Sequence, residues 1–257
     1  MKKIIFFTMI SMVIAFISSC KPELDNYAAP AETLTGKIID SSTGLPIQLE
    51  SGSGGSQIRL DEISWGANET PWDFNAMMDG TFNNTKIFAG TYKVYPFGGP
   101  YVPIYLVSST TPIDKRDTTV IKGVVTKNFT VDPFLKVQWV GDPVLNADST
   151  VTIHCRFDRG TLNPAFQFNV SDVYFYVNNT PFVGGSSFDI NMSTQVVYSG
   201  TAGNLLLGTT VTITSKTTKK FKGGPRTYYL RVGARTSDNI NKRYNYTDVK
   251  TITIPAK

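Results

Sequence analysis

One histidine and two cysteines set narrow limits on the covalent chemistry open to this chain of 257 residues. A zinc site built on paired histidines needs more than His154, and the H-E-x-x-H arrangement needs a second histidine. A Ser-His-Asp triad would have to use His154, but no G-x-S-x-G turn is present to supply its serine. No P-loop and no Rossmann glycine pattern occurs. In "VTIHCRF" the alternation puts Val151, Ile153, Cys155 and Phe157 on one face and Thr152, His154 and Arg156 on the other. Cys155 is therefore expected to be buried and inert rather than nucleophilic. A glycosidase built on two carboxylates passes these tests, since it needs only Asp and Glu, although no local motif marks such a pair. No D-x-[DN]-x-[DN]-G run offers a calcium loop. The expectation is a protein that is not an enzyme and holds no cofactor and no metal.

Residues suited to recognition are easier to find. In "DEISWGANETPWDFNAMMDG", Trp65, Trp72, Phe74, Met77 and Met78 are expected to lie between strands. A tryptophan face stacks on a sugar ring and sheds ordered water, while Asp61, Glu62, Asn68, Glu69, Asp73 and Asn75 could bond its hydroxyls. Trp65, Trp72, Asp73, Phe74 and Asn75 thus form a candidate ligand surface. The structural alternative is that both tryptophans cap one end of a sandwich as satellite core. A second cluster, "YPFGGPYVPIYLV", gathers Tyr95, Phe97, Tyr101 and Tyr105 around Gly98-Gly99-Pro100. Exposed, it would be a sticky patch for a ligand or partner, which adds Tyr101 to the candidates. Its alternative is an ordered loop buried against the second half of the chain.

The elements that must position these residues begin with a leader. Lys2 and Lys3 precede an apolar run, Ile4 to Ile17, which is shorter than the roughly 20 residues of a membrane span. Ile17-Ser18-Ser19-Cys20 resembles the lipobox of bacterial lipoproteins. That resemblance implies a signal peptide over 1–19, cleavage before Cys20, and acylation of its thiol. Residues 20–32 then read as a polar tether. Glu23 and Asp25 resemble the acidic surface-export signal of Bacteroidota lipoproteins. Loss of Lys2 and Lys3 takes the formal charge from +5 to +3. Such a charge, with one basic cluster at Lys219, Lys220, Lys222 and Arg226, does not suggest nucleic acid.

From Leu34 onward short alternating runs are broken by Gly, Pro, Asn and Asp, with almost no helical periodicity, which predicts an all-β chain. Strands are expected around Thr35 to Asp40, from Gln57, from Phe82 to Phe88, and over Tyr92 to Phe97. Gly36, Asp40, Thr43, Gly44 and Pro46, with Asp79-Gly80, Phe82, Phe88, Gly90 and Tyr92, resemble the transthyretin-like, carboxypeptidase-regulatory-like β-sandwich, over 33–132. Asp132-Pro133 reads as a junction. Seven further runs follow: 135–140, 151–157, 170–177, 196–199, 211–215, 228–235 and 249–254. Residues 133–257 resemble an immunoglobulin or fibronectin type III sandwich, with Tyr228 in the tyrosine-corner position and Trp139 as a core residue.

Lipobox, transthyretin-like block and immunoglobulin-like block together resemble an uncharacterised family of two-domain Bacteroidota lipoproteins. That family is typically encoded beside SusC/SusD-type nutrient importers. The resemblance implies two β-sandwich domains behind a lipid-anchored tether, facing outward from the outer membrane. It also implies SusC/SusD-type transporter proteins as partners and a polysaccharide or oligosaccharide as ligand. A purely structural importer subunit and a carboxylate-dependent hydrolase stay open beside it.

The anchor is the most direct of these expectations to check. Cys20→Ala should abolish incorporation of radiolabelled palmitate and release the protein from the membrane fraction. Label retained by the variant would remove the lipoprotein reading.

Overall fold

The protein is described here as a computed structural model covering residues 28–66, 68–107 and 112–255. Signal segment 1–19, Cys20 and most of the 20–32 tether lie outside the described residues. Strands dominate. The helical pieces among the described residues are three 3-10 turns: Gly52–Gly54, Pro164–Phe166 and Ala202–Leu206.

The N-terminal half is two facing sheets. One is organised by Glu32–Asp40, which pairs antiparallel with Thr81–Ile87 and parallel with Val124–Thr126 and Phe129–Val131. The other runs Thr70–Asn75, Gln57–Glu62, Gly90–Phe97, Asp117–Ile121, antiparallel throughout. Period-two alternation aims Leu34, Ile38, Ile58, Leu60, Phe82 and Val94 into one apolar core. At Asp79-Gly80 the chain turns with Gly80 at φ 76°, and the Asp79 carboxylate accepts the Thr81 N–H. The expected connection between strands is corrected here. Thr70–Asn75 is itself a strand, so Trp72, Asp73, Phe74 and Asn75 belong to a sheet edge.

The C-terminal half repeats the architecture. Val151–Arg159 pairs with Leu135–Trp139, Val144–Leu145 and Thr210–Thr214. Facing it, Val170–Asn178 and Arg226–Thr236 form the centre of a sheet with Thr194–Val197, Tyr244–Tyr246 and Lys250–Ile254. Val151, Ile153, Cys155 and Phe157 are all fully buried, and burial pushes the Cys155 thiol up to about 12. His154 sits on the opposite face, its Nδ1 2.8 Å from Thr212 Oγ1. Trp139 only flanks this core, half-buried, with its indole N–H donated to Asp248 O at 3.0 Å.

Ala31–Lys257 form one compact unit. The seam between the two cores explains why. The outer face of the Val170–Asn178 and Arg226–Thr236 pair carries Tyr174 and Tyr176, stacked at 4.2 Å and 8°. A Cβ at Gly233 would lie 2.9 Å from the Tyr246 ring and 3.0 Å from Tyr244, so only glycine lets those rings lie across the strand. Leu49, Glu50 and Ser53 of the N-terminal half reach this face. Arg231 is wholly buried between them. Its Nε donates to Thr247 O at 2.9 Å, its Nη1 to Leu49 O at 2.8 Å, and its guanidinium lies 4.3 Å from the centre of the Tyr246 ring. Glu50 closes the seam. Its carboxylate accepts from Tyr246 Oη at 2.5 Å, Ser186 Oγ at 2.8 Å, and the N–H groups of Ser51 and Gly185. A side chain at Gly184 would collide with that carboxylate, at 2.6 Å.

Burial pushes the Glu50 carboxyl up, but the hydrogen bonds from Tyr246, Ser51, Ser186 and Gly185 outweigh it and hold the group below its ordinary value of 4.5. A depressed folded value means stabilisation that is complete above 4.5 and is lost as pH falls through the lowered value. Glu50→Gln should flatten the acid limb of a stability-versus-pH curve relative to the parent protein. Glu50→Ala should cost on the order of 3 kcal/mol at neutral pH, because it strands the Tyr246 hydroxyl proton and removes the carboxylate beside the buried Arg231. Denaturant melts from pH 3 to 7 read both effects; unchanged acid limbs would show that the carboxylate does not hold the seam.

Candidate functional site

Trp72 and Phe74 alternate with Asp73 and Asn75 on an edge strand, so the sheet separates them. Opposite the buried Leu60 and Ile58, Trp72 and Phe74 point to the core side, with ring centroids 5.8 Å apart. Phe74 continues edge-on to the buried Phe82 at 6.1 Å and is half-buried. Trp72 overhangs the end of the core and stays 42% exposed. Trp65, in the connection from Glu62 to Thr70, is 57% exposed and packs edge-on to Phe88 at 5.8 Å. Phe88 and Met77 are exposed as well. The connection is held from below. Glu62 accepts the Ser64 N–H at 2.6 Å and the Trp65 N–H at 3.3 Å, and Ser64 Oγ accepts the Thr91 N–H.

Both tryptophans are thus surface residues, which disfavours a satellite core. The polar residues expected beside them behave differently. Asp73 faces outward and is clasped by Arg59 through two hydrogen bonds of 2.7 Å; Arg59 also lies over the Phe97 ring at 4.2 Å. Asn75 Oδ1 accepts from Gln57 Nε2 at 3.1 Å. Asp61, Glu69 and Asp114 converge on Arg116 at 2.8–2.9 Å, and Lys93 joins Glu69 at 2.5 Å. Arg116 stacks on Tyr105 at 3.8 Å. Its hydrogen bonds pull the Asp114 carboxyl down to about 2, and those of Lys93 and Arg116 pull Glu69 down too. Asp114 and Glu69, held low, are the opposite of the raised value a general acid needs. Among the described residues no three His, Cys, Asp or Glu side chains gather to hold a metal ion.

Tyr101 leaves the candidate surface. It is 1% exposed, and its hydroxyl bonds Ser56 Oγ. Its loop is ordered against the C-terminal half: Pro100 O accepts from the Phe134 N–H at 3.0 Å and Asn245 Nδ2 at 3.0 Å, and Asn241 Nδ2 reaches Gly99 O. The loop backbone thus meets the C-terminal half, while the Tyr101 ring belongs to the N-terminal core and Tyr95, Phe97 and Tyr105 pack on one another and on Arg59 and Arg116 of the same half. Sequence reasoning missed the Glu50, Arg231, Tyr244 and Tyr246 group at the seam. Its signal was present as Tyr174, Tyr176, Tyr229, Tyr244 and Tyr246, too many aromatic residues for a strand face turned to water.

The DUF3823 family, described as a protein of unknown function, matches residues 32–132 through its N-terminal domain. A solved DUF3823 family protein from Bacteroides uniformis is 33% identical, with a TM-score of 0.79, over 88% of this chain and 100% of that one. Another from the same organism, described as "a putative carbohydrate binding protein", is 19% identical with a TM-score of 0.67, over 88% and 100%. A DUF3823 family protein from Parabacteroides merdae is 18% identical with a TM-score of 0.63, over the same shares. The last two likenesses speak for the fold alone. No curated protein matches the chain.

Partial exposure fixes what the aromatic edge contributes to stability. Trp65→Ala and Trp72→Ala should each cost about 1–2 kcal/mol, from the fraction of ring removed from water at about 25 cal/mol per Å². Phe157→Ala, in the C-terminal core, should cost about 3–5 kcal/mol. Equal losses for all three in chemical denaturation would return the tryptophans to the core.

Proposed function

The chain belongs to the DUF3823 family, and on that premise we propose that it is a non-enzymatic carbohydrate-binding lipoprotein of the outer-membrane surface. In this reading Cys20 carries the lipid, the tether gives reach, and the protein serves a SusC/SusD-type polysaccharide importer. The observation that carries the binding part is the exposure of Trp65 and Trp72, 57% and 42%, together with the exposed Phe88 and Met77. Exposed aromatic faces offer the apolar half of a sugar a surface from which both sides shed water. The relative described as carbohydrate binding lends the same class of ligand to this architecture. The non-enzymatic part is supported by carboxylates that are ion-paired and held low, and by a buried Cys155.

A second reading, an importer subunit with no ligand of its own, is favoured by one observation. Asp73, Glu62 and Glu69 already spend their acceptors on Arg59, the Ser64 backbone, Lys93 and Arg116.

The two readings separate on a glycan array with the full chain. Loss of a sugar-sized stacking contact should weaken binding about tenfold in Trp65→Ala or Trp72→Ala, at roughly 25 cal/mol per Å². An empty array for the parent protein would leave the subunit reading ahead.

A further inference from the structure

The seam is not filled to its end. A cleft of about 240 Å³ remains beside the Glu50 cluster, walled by Glu50, Gly185, Arg235, Lys242, Arg243 and Tyr244, among others. At roughly 30 Å³ per water this is the space of about eight waters, enough for one pyranose ring.

Its charge is lopsided. Glu50 is the one acidic wall residue, and its carboxylate is spent on Tyr246, Ser186, Ser51 and Gly185, with the buried Arg231 charge nearby. Arg235 is neutralised from behind by Asp172 at 2.9 Å. Lys242 and Arg243 pair with no carboxylate among the described residues. Arg243 Nη2 donates to Ser53 O at 3.1 Å, while its Nε is shielded from water with no acceptor. A guanidinium N–H removed from water and left unbonded is costly, and two adjacent cations repel.

The backbone that carries these cations is nonetheless held in place. Asp238, fully buried, accepts the N–H groups of Ile240, Asn241 and Lys242 at 2.8–3.0 Å through one oxygen. Lys242 sits at φ 52°, a left-handed conformation a lysine seldom adopts. The next residues, Tyr244–Tyr246, are locked to Arg226–Thr236 by strand pairing. Tyr244 lines the same cleft, with the Arg235 guanidinium 4.7 Å from the centre of its ring. The cleft therefore brings Lys242 and Arg243, on a fixed backbone, together with the Tyr244 ring around ring-sized space.

We propose that this cleft binds a sugar unit bearing an oxyanion, a uronic acid carboxylate or a sugar sulfate, with Arg243 and Lys242 taking the anion and Tyr244 supporting the ring. The sugar part rests on the carbohydrate-binding reading above; the anion part rests on the cleft alone.

Calorimetric titration of the full chain with glucuronate, galacturonate, glucose 6-sulfate, glucose and inorganic sulfate tests it. Either uronate, or the sulfated sugar, should bind about tenfold or more tighter than glucose, and weaken as salt is raised through the Debye regime. Which acid binds distinguishes carboxylate from sulfate. Arg243→Gln should lose about tenfold, and so should Lys242→Asn, which keeps a residue tolerant of the left-handed backbone. Leu162→Ala, at a side chain 91% exposed and outside both candidate surfaces, should leave this binding unchanged. The salt dependence of the parent protein serves even if a variant folds poorly. Acidic sugars binding no better than glucose, or binding equally to both charge variants, would overturn the proposal. Inorganic sulfate binding as tightly as the sulfated sugar would overturn its saccharide part. Neutral glycan held by the tryptophans with an inert cleft would sink this inference and leave the proposed function standing. Acidic sugar held by the cleft with indifferent tryptophan variants would support this inference and remove Trp65 and Trp72 from the carbohydrate-binding role.

Discussion

A full positive charge with no water around it is the condition that organises this molecule. Arg231 is buried on the face of a strand that a free-standing sandwich would turn to solvent. Burial lowers its value to about 10, so the fold bears a real desolvation cost there. The guanidinium is kept by carbonyl oxygens from both halves, Thr247 and Leu49, by the Tyr246 ring, and by the nearby Glu50 charge. Each of these needs the others. Tyr246 can lie across the strand because residue 233 is glycine, and Glu50 can reach Tyr246 because residues 184 and 185 have no side chain to obstruct it. Drawing the two cores apart would leave a bare cation, an orphaned carboxylate and a stack of tyrosines in water. For that reason the halves share one compact unit while keeping separate cores.

The same logic separates what was legible in the sequence from what was not. Period-two alternation is local, and it located most strands. Val151, Ile153, Cys155 and Phe157 share a buried face as read, and the runs near 170–177 and 228–235 became the central strands of their sheet. Thr70–Asn75 escaped because Pro71, Asp73 and Asn75 are poor strand residues. An edge position tolerates them, since one side of the strand needs no ladder partner and Arg59 supplies Asp73 with an ion pair. Parallel pairing of Glu32–Asp40 with the strands near residues 124 and 130 has no local signature.

The candidate site divided along the same line. Residue type alone identified Trp65 and Trp72 as candidates, and both are exposed. It could not show that Asp73 and Asn75 point away from Trp72, because an expected loop carries no alternation. Nor could it place Tyr101, whose ring is buried in the N-terminal core while its backbone bridges to Pro133 from the other half. Long-range pairing decides those cases, and a single sequence leaves its partners unnamed.

The placement of Glu32–Asp40 has a mechanical meaning. It is flanked on one side by Thr81–Ile87 and on the other by the parallel strand Phe129–Val131, which leads directly into the second core. Tension applied ahead of Glu32 and resisted from beyond Val131 would load these parallel neighbours from opposite ends. The ladder bonds along the paired positions Ile38 with Phe129, Ile39 with Thr130 and Asp40 with Val131 would then share the load as a shear rather than open one at a time. Rupture under force follows the unfolding rate rather than the equilibrium stability. A protein drawn by its amino-terminal end would, with this strand order, resist traction through the part of the first core nearest the pull.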